Sequence, residues 1–490
     1  MSTALRENQI VRLEGLIVNY LCLCSSQLEL TSTDDVGTKF FKCPTCSKTF
    51  SFAKTEEMKK YEQEQKDLRR EATLEEITEI LDLTIKLDED IKSLVFLTFL
   101  TAYTKNEQVN VIVSGESSIG KTYVVSEVSK FFPNEDLIKK HGVSPTAFFY
   151  DDNRVLVDKT TLEKFTLVQP SPDASQEEKH AYREQKKNTA FLQDFERKII
   201  VLPDMPDVKV LEKLRPVLSH DDRICVYSNT TPNPYGMRAK DVYVRGFGIF
   251  VVCTCTPYLD EQETSRTFQI NPQWTPEKEK AVLGLINKRN SSPKFNTELE
   301  SNPQRIWLKK RIELIKDTEI NEIFINEELL TDIYKWFEGK RESSTPKSSR
   351  EYTRLLSLAK AWCLFNLWNR EKDENLNLYC TQTDIEVAKK VYASIVESSA
   401  YNLSPEEYAF FKHLEEIYKG TSTGFKVSEA HQIYYNKNKR PCSDKRLRNM
   451  LESFCREGLM RKDKQGQTFY YYIQEHKSQE NQQELLSMSP

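Results

Sequence analysis

This chain has no long apolar run. Its longest, from Ser93 to Leu100, falls far short of the roughly 20 residues a membrane-spanning helix needs. No basic segment followed by an apolar one opens the sequence, so a secretory leader is not expected. Neither sign of charge dominates: 70 Lys and Arg stand against 74 Asp and Glu, a formal net charge of −4. The overall balance therefore gives no argument for a polyanion partner, and only local asymmetry can supply one. There is no internal repeat, which excludes a solenoid or a propeller. With 11% aromatic and 29% charged residues, the composition is globular rather than disordered. These absences lead to the expectation of a soluble cytoplasmic protein with no membrane partner. The 11 cysteines are uneven in their spacing. Four cluster near the N-terminus, while others, such as Cys253 and Cys255, lie inside apolar stretches. That usage fits a reducing compartment and one candidate metal site.

What the chain does have falls into successive regions by composition. Residues 1–52 hold the cysteine cluster, and 53–72 read as a charged linker helix. Residues 73–272 alternate apolar runs with helical segments, as an α/β domain does. Residues 273–400 show helical periodicity, 401–477 form a last small domain, and 478–490 are a polar tail expected to fray.

The strongest local pattern is Gly115-Glu116-Ser117-Ser118-Ile119-Gly120-Lys121-Thr122. An apolar β-branched stretch, Val109 to Ser114, precedes it, and a helical segment follows from Tyr123. Strand, glycine loop and helix together make a phosphate-binding loop. The glycines let backbone N–H groups turn inward around phosphates, Lys121 supplies a point charge, and the Thr122 hydroxyl is suited to Mg²⁺. The expected ligand is ATP with Mg²⁺. Such a loop needs a second strand ending in an acid. Lys198 to Asp204 fits, with Asp204 as the second Mg²⁺ residue. Met205 stands where many ATPases carry glutamate, so the acid that polarises water is open between Asp207 and Glu196. A third apolar strand, Gly248 to Thr256, ends in hydroxyl residues, where ATPases of the additional-strand class carry a polar sensor of the terminal phosphate, a place that Thr254 or Thr256 would fill. Arg266, shortly after, lies where an arginine finger would reach a neighbouring subunit's nucleotide.

Between the second and third strands, Asp222 to Ser228 and Asp241 to Arg245 flank a turn-rich tip, the pattern of a β-hairpin. This order of parts resembles an AAA+ ATPase, and in particular replicative helicases of the minichromosome-maintenance type and their relatives on viruses and plasmids. The resemblance implies that the hairpin projects into a ring pore and grips DNA, with Arg238 and Lys240 on phosphates and Tyr235 stacked on bases. It also implies a helical lid in which Arg350, opening the segment Ser348 to Ala361, acts on nucleotide. The next lid helix would begin near Thr383 and Asp384. A homo-oligomeric ring, expected as a hexamer, and a mobile-element source are implied by the same resemblance. The acid pair expected after the second strand is broken by Pro203-Asp204-Met205, and the N-terminal region is short for a full DNA-binding collar.

Cys43-Pro44-Thr45-Cys46 has the spacing of a zinc knuckle. Cys22-Leu23-Cys24, one residue tighter, is its candidate partner in a Zn²⁺ ribbon, in which metal would supply the stability a small core lacks. At the other end, Ser404-Pro405-Glu406-Glu407 opens a helix. Two more helical segments and a hairpin follow, the composition of a winged helix. Between Lys426 and Lys464, 11 Lys or Arg face 5 Asp or Glu. Lys445, Arg446 and Arg448 at the start of the third helix are the candidate DNA phosphate contacts. The combined expectation is an α/β P-loop protein that uses ATP to move along DNA. The alternative is a nucleotide-switched DNA-binding initiator or regulator that does not translocate.

Overall fold

The computed structural model describes residues 3–4, 10–13, 16–20, 27–33, 39–52, 56–115, 117–142, 154–206, 208–219, 222–233, 236–255, 266–272, 274–340, 348–400, 403, 405–418, 420–421, 423–438, 441–456, 458–466 and 468–474. The chain divides into two compact units, Met1–Arg70 and Glu71–Pro490.

The first unit carries a four-stranded sheet in which Lys39–Lys42 and Thr49–Phe52 pair antiparallel on either side of the Cys43–Cys46 turn. Among its described residues, Leu28, Phe41, Cys43 and Phe50 are buried. A separate hairpin joins Ile10–Leu13 to Leu16–Tyr20. The polar segment read as a linker is helical from Glu56 to Arg69.

The second unit is built on five parallel strands. In chain order they are β1 (Asn110–Ser114), β2 (Leu137–Lys139), β3 (Ile199–Leu202), β4 (Ile249–Thr254) and β5 (Thr267–Ile270), and they lie side by side as β5-β1-β4-β3-β2. Strands covered on both faces must be apolar at successive positions, and β3 (Ile-Ile-Val-Leu) and β4 are buried throughout. Alternation divides their side chains between two cores. Val111, Val113, Val251 and Cys253 join helices from Leu74–Asp82 to Gln382–Ala400 in one core. Ile112, Ile200, Leu202, Phe250 and Val252 join the helix Val208–Ser219 and a second, four-stranded sheet in the other.

The helical segment expected to open at Ser348 does so, as Ser348–Phe365. Trp362, Leu358 and Phe365 are fully inside the first core. Within the next helix, Gln382–Ala400, the Asp384 carboxylate accepts from the Thr381 N–H at 2.8 Å and from Arg370 at 2.8 and 2.9 Å.

The hairpin is formed by Ile224–Asn233 and Gly236–Arg245, paired from Ile224↔Arg245 to Asn233↔Gly236. Its base joins Thr189–Asp194, whose partners run only from Val242 to Arg245. Among the described residues, Gly236 to Asp241 thus pair with the other hairpin strand alone, an arm on the order of 20 Å long at strand rise.

The chain ends in three helices, Pro405–Tyr418, Val427–Asn438 and Asp444–Arg456, and a hairpin of Met460–Gln465 with Thr468–Ile473. Phe425, between the first two helices, pairs with Tyr471. Leu414, Phe425, Leu447, Leu451 and Phe454 form a core of their own. No helix among the described residues is long and apolar enough to cross a membrane.

Candidate functional site

Open parallel sheets bind ligands beyond the C-terminal ends of their strands, where strand order reverses. The glycine loop leaves β1 at that end. Gly115 has φ +142° and Gly120 φ +98°, with Ser118 also left-handed at +68°. Only glycine enters such conformations without strain. A Cβ on Gly115 would also collide with the Asn271 side chain. Gly120 precedes the helix Lys121–Ser129, whose Val124 N–H reaches the Gly120 carbonyl at 3.0 Å. Lys121 is buried against the loop: its ammonium donates to the Gly115 carbonyl at 2.9 Å and to the Cys255 sulfur at 3.3 Å. Thr122 is exposed at the surface. Glu116 lies outside the described residues.

Neighbouring strands bring further groups to this edge. Thr254 pairs with Ser114, so Cys255 follows β4 beside the start of the loop. Leu202 pairs with Val252, which carries Asp204 to the same edge on β3. Asp204 is solvent-exposed, 3.9 Å from His141 Nδ1. Alternation along β4 turns Cys253 toward the helix of the glycine loop, and Cys253 and Thr122 share a hydrogen bond. Burial pushes the Cys253 thiol up to about 11 despite that bond and Lys121, so it stays neutral near pH 7.

Two residues at this edge, Cys255 and Asn271, are not singled out as site residues by any sequence motif. Cys255 touches Lys121, whereas the sensor candidate Thr254 alternates onto the face of Phe250 and Val252. Thr256, the other candidate, is outside the described residues. Asn271, following β5, is buried, and with its amide turned to satisfy its neighbours it donates to the Ser114 carbonyl at 2.9 Å. It ties the last residue of β1 to the end of β5 just where the loop departs.

The remaining candidates distribute as follows. Arg266 precedes Thr267, which pairs with Asn110 at the start of β1, so Arg266 stands at the opposite edge from the loop. Glu196 also precedes its strand and pairs with Arg223 at 3.3 Å, away from the loop edge; Asp207 is outside the described residues. Arg350 is exposed in the first turn of its helix, while Arg354 is buried over the Phe268 ring at 5.0 Å, where burial lowers its pKa. In the arm, Arg238 lies opposite Thr231 and Lys240 opposite Asn229; Tyr235 is outside the described residues. The base of the arm is pinned by Arg245 on Asp194 and by Ser228 donating to Asp241 at 2.6 Å.

The three basic residues of the third C-terminal helix separate. Arg448 bonds Asp444 one turn back at 2.7 Å and holds that carboxyl below its usual range. Lys445 and Arg446 instead line a cavity of about 240 Å³ together with Ser114, Gly115, Cys255 and Asn271. On the terminal hairpin, Lys462 sits 4.3 Å from the Phe469 ring and Arg461 5.1 Å from Tyr472.

Cys43 is buried, and its sulfur accepts the Cys46 N–H at 3.5 Å across a turn closed by Ser47 N–H on the Cys43 carbonyl. Cys22 and Cys24 lie outside the described residues. Among the described residues one group of three is spaced to bind a metal: Cys363, Cys380 and Asp384, all buried, with ligand atoms within 4.8 Å of one another. A cation there would share Asp384 with Arg370.

No family model matches the chain, and no curated protein matches it.

Proposed function

We propose that this chain is an ATP-driven motor on DNA, an AAA+ ATPase resembling replicative helicases of the minichromosome-maintenance type and working as an oligomeric ring. One observation carries the reading: the glycine loop with its left-handed turns, Lys121 and Asp204 leave the parallel sheet at a single edge. The strand order adds support, because β4 separates the loop strand from the acid strand, as in ATPases of the additional-strand class.

Backbone N–H groups of residues 115–122 and the Lys121 ammonium would hold the phosphates of ATP, and Thr122 and Asp204 would hold Mg²⁺. The metal supplies charge neutralisation at the phosphates. Arg266, at the far edge, fits a residue offered to a neighbouring subunit rather than to its own loop. The arm holding Arg238 and Lys240 suits a pore contact with DNA phosphates, and Tyr235 a stack on bases. Three helices, the Phe425–Tyr471 pairing and the hairpin support a winged helix, whose basic aromatic strand face suits a polyanion. The Cys43–Cys46 turn supports half of a Zn²⁺ ribbon completed by Cys22 and Cys24.

The test is ATP hydrolysis with and without single-stranded and duplex DNA, the particle mass in ATP, and strand displacement by Arg238→Ala/Lys240→Ala. The motor reading expects DNA-stimulated hydrolysis, a multimer, and loss of displacement in the double variant. Intact displacement in that variant contradicts it. One observation favours the second reading, a nucleotide-switched DNA-binding initiator or regulator: Lys445 and Arg446 face the loop cavity. A wild type that hydrolyses ATP and binds DNA without displacing a strand would select it.

A further inference from the structure

The cavity beside the glycine loop is walled by two distant parts of the chain. One wall is the sheet edge, Gly115, Cys255 and Asn271; the other is the C-terminal bundle, with Glu407, Lys445 and Arg446. At about 240 Å³ it is smaller than the 300 Å³ or more that encloses a drug-sized ligand. It has room for the phosphate end of a nucleotide. Two cations on the bundle wall stand against one carboxylate, and the Lys121 ammonium meets the opposite wall at Cys255. Positive groups therefore reach this space from both lobes, beside backbone that is already turned as a phosphate cradle requires.

We propose that Lys445 and Arg446 bind the terminal phosphate of a nucleoside triphosphate held by the same chain's glycine loop, so that triphosphate and polynucleotide compete for one helix. This rests on the nucleotide reading above and holds whether or not the protein translocates. Arg446 offers a planar fork matched to phosphate oxygens, and Lys445 a point charge. Glu407, on the same wall, provides the counter-charge that a triphosphate displaces. With triphosphate in place the third helix is held on the cleft. A diphosphate lacks the group that holds it, and the two cations become available to a DNA backbone. The bundle keeps its own core of Leu414, Leu447 and Phe454, so it can leave the cleft without unfolding. Because binding linkage is reciprocal, DNA must weaken triphosphate binding by the same factor as triphosphate weakens DNA binding.

The experiment uses the full chain, a fluorescent non-hydrolysable ATP analogue, its ADP counterpart and a short labelled duplex. Saturating ATP analogue is expected to weaken duplex binding by about tenfold, the worth of one charge-assisted phosphate contact, while ADP leaves it within about twofold. Lys445→Ala/Arg446→Ala is expected to lose about tenfold in affinity for the ATP analogue and little for ADP. Duplex binding that is unchanged or tightened by the ATP analogue overturns the proposal. So does a double variant that folds and binds the analogue as tightly as wild type. If the double variant does not fold, the competition in the wild-type protein decides alone. Lys121→Ala is the separating control: if it loses the analogue while the double variant keeps it, the inference falls and the loop reading stands. If Lys121→Ala keeps the analogue in full, the loop reading falls, and this inference with it.

Discussion

The glycine-loop edge of the central sheet and the C-terminal bundle share one cavity but reach it by different routes. The loop is placed by its immediate neighbours: β1 delivers it, Gly115 and Gly120 turn it, and the helix from Lys121 receives it. The bundle's side is placed by the far end of the chain, through a helix whose inward face, Leu447, Met450, Leu451 and Phe454, packs its own small core. A site anchored by strands is rigid, whereas a wall carried on an independent core can move as a body. On the proposed reading, rigidity and chemistry reside on the sheet, and exchange of partners on the bundle.

The most disruptive test of this contrast is Phe454→Ala. Emptying that position should cost about 3–5 kcal/mol, confined to the bundle. Thermal unfolding followed by tryptophan fluorescence, which reports the sheet unit through Trp362 and its neighbours, should keep its transition while circular dichroism shows an earlier one. A single shifted transition by both probes would mean that the two regions are one cooperative body.

Next in size is Asp204→Asn. Hydrolysis should fall by about a hundredfold or more, as when a group that stabilises transferring charge is removed, with nucleotide affinity changing far less. Equal loss of both would assign Asp204 to binding alone.

Gly115→Ala forces a left-handed Cβ against Asn271 and should destabilise by about 1–3 kcal/mol. Adding Asn271→Ala should return the steric share, read as a coupling in denaturant midpoints; strict additivity would show that the two residues do not meet.

The smallest expected effect separates two neighbours. Cys255→Ala should slow hydrolysis by about fivefold, the worth of one hydrogen bond, and Thr254→Val by less than about twofold. The reverse ranking would put the hydroxyl, not the thiol, on the loop's face.

These residues also mark what was legible in the sequence. The loop, the acid strand, the hairpin and the terminal three-helix arrangement were readable because local backbone demands and apolar alternation encode them. A hydroxyl singles out Thr254, but alternation points elsewhere: with Cys253 on the helix side, the next residue on that side is Cys255. Glu196 was a candidate by proximity in sequence, but it stands before β3 and not after it. Asn271 carries no pattern, since its role depends on β5 lying beside β1, a pairing between distant segments. The direction of Lys445 and Arg446 was equally hidden. Periodicity fixes which face of a helix turns inward, not which neighbour the outer face meets.

The proposed function stands on Lys121, and the affinity of Lys121→Ala for the fluorescent ATP analogue, measured beside its ATP turnover, is its sharpest test. Binding weakened by about a hundredfold, the scale of losing a buried charge-assisted contact, and no detectable turnover are expected. Wild-type affinity and turnover in that variant would contradict it.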